Sequence, residues 1–229
     1  MKNRLQPQYW QPLYRNVPVK VWTVSVSSVL GTCGTAGLSD AERDRAGRFR
    51  REEDSRRFRA SRLLLREVLG RHLRTRPGDL QLKKAPGGRL SVVLPPGFPP
   101  VFFSLSRSGD FCTVALSGSA EVGVDIEKTR EFPGWEAVAQ AWLSKGERSA
   151  IRALVGESSR TEAFFRLWCT REAAAKALGL GLALDPRSAG SLEGILEGRQ
   201  VVAVFGGRTV EVAEMEAPQG YRLAVASVA

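Results

Sequence analysis

The chain has 229 residues, of which 43% are hydrophobic and 25% are charged, with a formal net charge of +10 at pH 7. This composition allows a sizeable core and excludes a disordered polyelectrolyte. No apolar run approaches the roughly 18 residues that a membrane span needs, and the first residues lack a signal-peptide pattern. We therefore expect a cytoplasmic protein with no membrane partner.

Cysteine and histidine are scarce. The three cysteines, Cys33, Cys112 and Cys169, show no C-x-x-C spacing, which argues against a disulfide framework or a cysteine zinc site. The single histidine, His72, has no partner motif, so Ser-His and Cys-His triads and two-His metal sites are not expected. Chemistry in this chain is predicted to depend on carboxylates and a bound metal.

Positive charge is concentrated between residues 43 and 76, which hold thirteen arginines, five acids and no lysine. Such a segment indicates either a solvated helix surface or an anion-binding face. The anion could belong to a nucleic acid, an acidic protein or a phosphorylated small molecule. Charge alone does not distinguish these partners.

The chain reads as strands alternating with capped helices. The first half is predicted to begin with a strand over 19–27 and a glycine-rich connector over 31–37. Two helices follow, one opened by the capping box of Ser39 and Glu42 and one from Phe58 to Leu73. Three strands are then predicted over 90–94, 101–105 and 111–117, and a turn over 106–110 joins the last two. In the second half, we predict a strand over 121–127, helices opened by Ser144 with Glu147 and by Ser159 with Glu162, and strands over 201–205 and 221–228.

This repetition predicts an α+β fold of two similar α/β subdomains in a pseudo-two-fold arrangement. Residues 1–118 form the expected N-terminal subdomain and residues 119–229 the expected C-terminal one.

Two carboxylates, Asp125 and Glu127, lie two residues apart on a predicted strand and so project from one face. Because unpaired carboxylates repel, the pattern indicates either a divalent cation or surface salt bridges with Lys128 or Arg130. On the predicted helix over 164–182, Trp168, Glu172 and Lys176 share one side. Glu172 and Lys176 could form an ordinary helix pair, but together with the strand they favour Mg²⁺ and a phosphate substrate.

The segments GVDIEKTR and LWCTREAAAKALGLGL resemble the motifs of the long, Sfp-type class of 4'-phosphopantetheinyl transferases. That family has a G-[IV]-D-[IV]-E strand before a W-x-x-K-E-[AS]-x-x-K helix. Upstream, RRFRASRLLLREVLG resembles its arginine-containing helix, and FSLSRSGD stands where the family has N-[IV]-S-H-S-G. The resemblance runs from about Trp22 to Val225.

The resemblance implies a holo-carrier-protein synthase that transfers the phosphopantetheine arm of coenzyme A to a serine of an acidic apo carrier protein, releasing adenosine 3',5'-bisphosphate. Such an enzyme serves fatty acid, polyketide or nonribosomal peptide biosynthesis. It implies Mg²⁺, or Mn²⁺, as cofactor and coenzyme A as co-substrate. We also expect no nucleic-acid partner, and we expect a monomer because two subdomains in one chain would supply a complete site at their interface.

By motif position, the resemblance assigns metal binding to Asp125, Glu127 and Glu172. It assigns a phosphate contact to Lys176, and proton acceptance to Glu172 first and Glu127 second. For coenzyme A, it assigns Arg45 and Arg57 to the 3'-phosphate. It assigns Ser106, Arg107 and Arg89 to the other phosphates, although Gly87-Gly88-Arg89 matches the family's G-K-P only loosely.

Three further points depend on the resemblance. Arg107 replaces the family's histidine with a fixed cation that cannot shuttle protons, and Arg171 replaces a lysine. Phe132 and Trp135 lie in the segment expected to contact the carrier protein, although the spacing of Trp135 and Trp142 is equally typical of core residues. Two alternatives stay open: a basic nucleic-acid-binding protein, and a catalytically weakened family member that only binds carriers.

Overall fold

In a computed structural model, residues 6–13, 18–33, 37–84, 89–179 and 190–229 are described. Within these ranges the fold is α+β and divides into two similar halves, as the sequence predicts. The predicted boundary between residues 118 and 119 remains a prediction.

The first half is built on a four-stranded antiparallel sheet in the order β1, β2, β6, β5, and a small hairpin of β3 and β4 lies outside it. Its elements are β1 (Gln8–Trp10), β2 (Val19–Ser25), α1 (Val26–Cys33), α2 (Asp40–Gly47), α3 (Glu52–Leu73), β3 (Leu82–Lys84), β4 (Leu90–Val92), β5 (Phe102–Ser108) and β6 (Phe111–Ser117).

The second half is built on another four-stranded antiparallel sheet, in the order β7, β10, β9, β8. Its elements are β7 (Val122–Lys128), α4 (Trp135–Trp142), α5 (Lys145–Ala153), α6 (Glu157–Leu178), β8 (Val201–Phe205), β9 (Arg208–Met215) and β10 (Tyr221–Val228).

The two halves share one topology. In each, a first strand (β2 or β7) leads through helices to a helix of 22 residues (α3 or α6). A later hairpin (β5 with β6, or β9 with β10) then returns its last strand to pair with the first. This repetition is the pseudo-two-fold relationship that the sequence predicts.

The apolar core has three parts. One lies between α3 and the first sheet, and a second lies between α6 and the second sheet. The third joins the two sheets and contains Val21, Ala115, Val124, Ile126 and Val225. Because Val124 and Ile126 enter this shared core, the alternate residues Asp125 and Glu127 face the other way, as predicted.

Two of the three predicted capping boxes are confirmed, since the hydroxyls of Ser39 and Ser144 accept hydrogen bonds from the backbones of Glu42 and Glu147. The third is wrong. Helix α6 begins at Glu157, directly after Gly156, whose positive φ of 88° ends the preceding loop. Ser159 therefore lies inside the first helical turn.

Other boundaries also differ from the sequence prediction. The chain leaves β2 at Ser25 and becomes helical over residues 26–33, because the Ser25 hydroxyl accepts from the backbone of Ser28. The predicted turn over 106–110 is confined to Gly109 and Asp110, since β5 continues to Ser108. Strand β9 was not predicted from the sequence. Residues 34–36 of the predicted connector lie outside the described residues. Among the described helices, none is long and apolar enough to cross a membrane.

Candidate active site at the junction of the two halves

The two sheets meet where β5 lies beside β7. The hydroxyl of Ser104 accepts a hydrogen bond from the backbone of Val124 at 3.2 Å, and that of Ser108 accepts one from Lys128 at 3.1 Å. Helix α6 packs directly across β7 and β10. The two acidic motifs predicted from sequence, one on β7 and one on α6, are thus brought together at this junction.

Asp125 is at the centre of the junction and is only 3% exposed. Its Oδ1 accepts hydrogen bonds from Ser106 Oγ at 2.7 Å and from Lys176 Nζ at 2.5 Å. Lys176 Nζ also donates to Ser106 Oγ at 3.0 Å and to the carbonyl of Val124 at 3.2 Å. Although burial alone would lower the pKa of Lys176, the Asp125 carboxylate raises it, so this lysine is a fixed cation at neutral pH.

Two further carboxylates lie near Asp125: Glu127 on β7 and Glu172 on α6. Burial raises the pKa of Glu127, and the Asp125 carboxylate raises it further, whereas hydrogen bonds from Ser108 and Trp168 oppose the shift. Burial and Asp125 likewise raise the pKa of Glu172, against the effect of Lys176. The three carboxylates therefore repel one another in a largely desolvated site, and Lys176 compensates only one charge.

These residues fit a divalent cation by their chemistry. Asp125 Oδ2 is buried and has no hydrogen-bond partner among the described residues, and a bound cation would satisfy it while relieving the repulsion from Glu127 and Glu172. In the described parts of the chain, no three His, Cys, Asp or Glu side chains are already gathered as a metal-binding group. The three carboxylates therefore do not converge on one point in the metal-free chain.

A cluster of arginines lies on the other face of β5. The guanidinium carbons of Arg45, Arg62 and Arg107 lie 5.4, 5.2 and 5.8 Å from the centre of the Phe58 ring. Burial and then the neighbouring arginines lower the pKa of Arg107, and burial lowers that of Arg62 to about 10 despite an opposing effect of Glu42. Like charges held this close indicate an anion-binding site.

The sequence prediction did not single out Arg62, which lies within the helix predicted from Phe58 to Leu73. Its Nε and Nη1 are buried and lack a hydrogen-bond partner within the described residues. The available signal was its spacing, because Arg62 follows Phe58 by one helical turn and shares its face. We name Arg45, Arg62 and Arg107 around Phe58 the arginine cluster.

The other arginines assigned to coenzyme A lie in different surroundings. Arg57 donates to the carbonyl of Gly109 at 2.7 Å and pairs with Asp54 and Glu53, so its charge is already compensated. Arg89 donates to the carbonyl of Ala177 at 3.3 Å, beside the end of α6 and away from the arginine cluster. Gly87 and Gly88, the rest of its motif match, lie outside the described residues.

Most of the basic segment is internally paired. Seven of its thirteen arginines form ion pairs with nearby acids: Arg43 with Asp40, Arg57 with Glu53 and Asp54, Arg59 with Glu52, Arg62 and Arg66 with Glu42, Arg71 with Glu67, and Arg76 with Asp79. The excess charge is therefore less available for tracking a nucleic-acid backbone than the sequence suggests.

The aromatic residues expected to contact a carrier protein are not equivalent. Trp135 is only 2% exposed, donates from its indole to Glu157 at 2.9 Å, and belongs to the core under α6. Its expected role as an exposed contact is therefore wrong. Phe132 is half-buried, packs at a tilted angle against Phe164 and Phe165, and lies under the guanidinium of Arg130.

Comparisons with known proteins agree with this arrangement. Residues 21–119 match the family model described as 4'-phosphopantetheinyl transferase, N-terminal, and residues 121–226 match that of the 4'-phosphopantetheinyl transferase superfamily. The chain is 32% identical over 163 residues to slr0495 of Synechocystis sp., covering 71% of this chain and 65% of that protein. It is 33% identical over 150 residues to the 4'-phosphopantetheinyl transferase HetI of Nostoc sp., covering 65% of this chain and 62% of HetI.

A more distant match is the L-aminoadipate-semialdehyde dehydrogenase-phosphopantetheinyl transferase of Mus musculus, 28% identical over 157 residues, with 65% of this chain and 50% of that protein covered. The chain thus spans less than two thirds of the length of these relatives. The two family models nevertheless cover both halves of the fold in order, one on each side of the junction. By these matches, the chain belongs to the 4'-phosphopantetheinyl transferase superfamily.

Proposed function

We propose that this protein transfers the 4'-phosphopantetheine group of coenzyme A to a serine hydroxyl of an apo carrier protein, with release of adenosine 3',5'-bisphosphate. The observation that carries the proposal is the position of β5 between two charged sites. Arg107 belongs to the arginine cluster on one face of the strand, whereas on the other face Ser106 and Ser108 donate hydrogen bonds to the carboxylates of Asp125 and Glu127. A substrate with separate phosphate groups, such as coenzyme A, suits two such sites.

We assign the 3'-phosphate to the arginine cluster, with Arg57 and Arg89 as the weaker candidates among the sequence-based contacts. Arg62 forms a long ion pair with Glu42, at 4.0 Å, but its buried Nε and Nη1 lack a hydrogen-bond partner among the described residues. This supports the assignment, because a phosphate dianion would satisfy both groups. Arg107 can hold phosphate at any pH near neutrality but supplies no proton.

The pyrophosphate is assigned to the junction. Asp125, Glu127 and Glu172 would hold Mg²⁺ or Mn²⁺, which when bound would neutralise charge on the phosphoryl oxygens. Lys176, fixed by Asp125 and Ser106, supplies a further positive charge for the phosphate.

In the proposed reaction, the serine oxygen of the carrier forms a bond to the phosphorus next to the pantetheine arm, and the bond from that phosphorus to the bridging oxygen breaks. The serine proton must go to a base. Glu172 is the first candidate, because its raised pKa brings it nearer to the working pH, and Glu127 is the second. The leaving group carries the pair of electrons away as adenosine 3',5'-bisphosphate.

A direct assay tests this function. The chain is incubated with coenzyme A, Mg²⁺ and a panel of apo acyl, peptidyl and aryl carrier proteins, and each carrier is weighed by mass spectrometry. The proposal predicts a phosphopantetheine adduct on at least one carrier and none on the same carrier with its acceptor serine changed to alanine. Binding of coenzyme A and carriers without any adduct would instead indicate a family member that has lost activity.

A further inference from the structure

The junction between the two sheets depends on three alternate serines of β5. Strand β7 pairs through its backbone with β10 on one side, and its other edge lies beside β5. On that edge the backbone N–H groups of Val124 and Lys128 donate to the hydroxyls of Ser104 and Ser108. Serine oxygens therefore take the place of the carbonyls that a paired strand would offer.

One of these serines has a second role. Ser108 Oγ accepts from Lys128 N at 3.1 Å and donates to Glu127 Oε2 at 2.8 Å, so its single proton is directed to the carboxylate. Ser104 accepts from the backbone of Val124 in the same way, but within the described ranges its hydroxyl has no hydrogen bond to a carboxylate. The two serines thus form a natural comparison on one strand face.

This arrangement fixes Glu127 in a particular way. Ser108 holds Oε2, and Trp168 also hydrogen-bonds this carboxylate, so the carboxylate cannot rotate freely. The neighbouring residue on β5, Arg107, points to the opposite face and reaches the Phe58 ring. Ser108 therefore links the position of Glu127 directly to the strand that carries part of the arginine cluster.

We propose that Ser108 is a positioning residue that orients the Glu127 carboxylate for the divalent cation of the proposed phosphopantetheinyl transfer. The inference rests on the proposed function but assigns a residue that touches neither the reacting atoms nor the cation. Groups that hydrogen-bond a metal ligand in this way commonly change metal affinity by roughly 10–100-fold when removed.

The test compares three variants: Ser108→Ala, Ser108→Thr and, as the matched control, Ser104→Ala. Binding of Mn²⁺ is measured from the electron paramagnetic resonance signal of the free ion in the presence of coenzyme A, and thermal unfolding is followed without metal. We expect Ser108→Ala to weaken Mn²⁺ binding about 10-fold or more, and Ser108→Thr, which keeps the hydroxyl, to bind within a few-fold of the original chain.

Ser104→Ala removes one acceptor for a β7 backbone N–H and should lower the unfolding temperature while leaving Mn²⁺ affinity unchanged. Equal losses of Mn²⁺ affinity in Ser104→Ala and Ser108→Ala would overturn the inference, because they would show a general loosening of the junction. Unchanged Mn²⁺ binding in Ser108→Ala would also overturn it.

The outcome is separable from that of the proposed reaction. If the original chain binds Mn²⁺ but modifies no carrier protein, the Ser108 comparison still supports or rejects the positioning role, and only the reaction is rejected. If the original chain binds no Mn²⁺ with coenzyme A present, the positioning role for a metal ligand is rejected as well.

Discussion

Gly123 on β7 lies directly against the backbone of Ala173 on α6, so that a β-carbon at residue 123 would come within 1.9 Å of the Ala173 carbonyl oxygen. The same β-carbon would lie 2.5 Å from the backbone nitrogen of Ala177. Only glycine permits this approach, and it is the approach that brings Glu172 and Lys176 to Asp125.

We predict that Gly123→Ala disrupts the site. Because backbone rather than a flexible side chain occupies the space, the helix must move away from β7, which should lower both the free energy of unfolding and the rate of transfer. A displacement of about 1 Å at a reacting group can reduce a rate by roughly 100-fold. The measurements are thermal unfolding and kcat/KM with coenzyme A and a carrier protein.

Gly118→Ala is the matched control, because no atom lies within 4 Å of a β-carbon added there and its φ is not in the left-handed region. It should behave like the original chain. Full activity of Gly123→Ala would mean that the close contact of α6 with β7 does not determine the position of the carboxylates.

A second prediction concerns Glu172→Gln. The amide of glutamine cannot accept the serine proton as the Glu172 carboxylate is proposed to do. We therefore expect kcat to fall by about 100-fold or more in this variant. Removing one of three mutually repelling carboxylates should at the same time stabilise the metal-free chain at pH 7. A lower unfolding temperature would contradict this, since it would show that the ionised Glu172 contributes favourably to the fold.

The next prediction concerns how the stability of the metal-free protein changes with pH. The pKa values of Glu172 and Glu127 are both raised by burial and by Asp125, so the folded chain binds protons more tightly than the unfolded chain. Stability of the metal-free protein should therefore fall as pH rises through these pKa values, and added Mg²⁺ should restore it at the higher pH. Urea unfolding at several pH values, with and without Mg²⁺, measures both effects.

The sequence was most informative where a local pattern determines the structure. The alternation around Asp125 predicted which side chains enter the core, and the four-residue spacing of Glu172 and Lys176 predicted their common helix face. Contacts between distant segments were not predictable in this way. Arg62 joins Arg107 only because α3 packs beside β5, and no spacing along the chain encodes that neighbourhood.

Burial was also harder to predict than secondary structure. Trp135 follows Pro133 and Gly134 and so was expected at the surface, yet it is buried and its indole donates to Glu157 at the start of α6, two helices further along the chain. Similarly, a run of serines at 104, 106 and 108 has the composition of a turn. It remains a strand because the hydroxyls satisfy the edge of β7.

A fourth prediction concerns Arg171, which the family resemblance places next to Glu172. Its guanidinium is 3% exposed and donates to both oxygens of the fully buried Glu147, at 2.8 and 2.6 Å. Arg171→Met should therefore lower the free energy of unfolding by about 3–5 kcal/mol, because it leaves a buried carboxylate without its cation.

The double variant Arg171→Met with Glu147→Gln should recover much of this loss. Glutamine is neutral, and its side-chain oxygen can still accept from the backbone of Leu192, as Glu147 does at 2.9 Å. Urea unfolding of the two single variants and the double variant gives the coupling between the two residues. Additive losses would show that the pair is not an energetic unit.

The last prediction separates the arginine cluster from the junction. If the cluster holds the 3'-phosphate, Arg62→Ala should raise KM for coenzyme A by roughly 10–100-fold with little change in kcat, since a charge-assisted hydrogen bond contributes about 1.5–3 kcal/mol. Dephospho-coenzyme A, which lacks that phosphate, should be used with the same KM by both proteins. Because the pKa of Arg62 is about 10 and Arg107 is a guanidinium, KM for coenzyme A should stay constant from pH 7 to pH 9 and rise near pH 10. In Arg107→His, KM should instead rise between pH 6 and pH 8 as the imidazole loses its proton, and a flat profile in that variant would place the 3'-phosphate elsewhere.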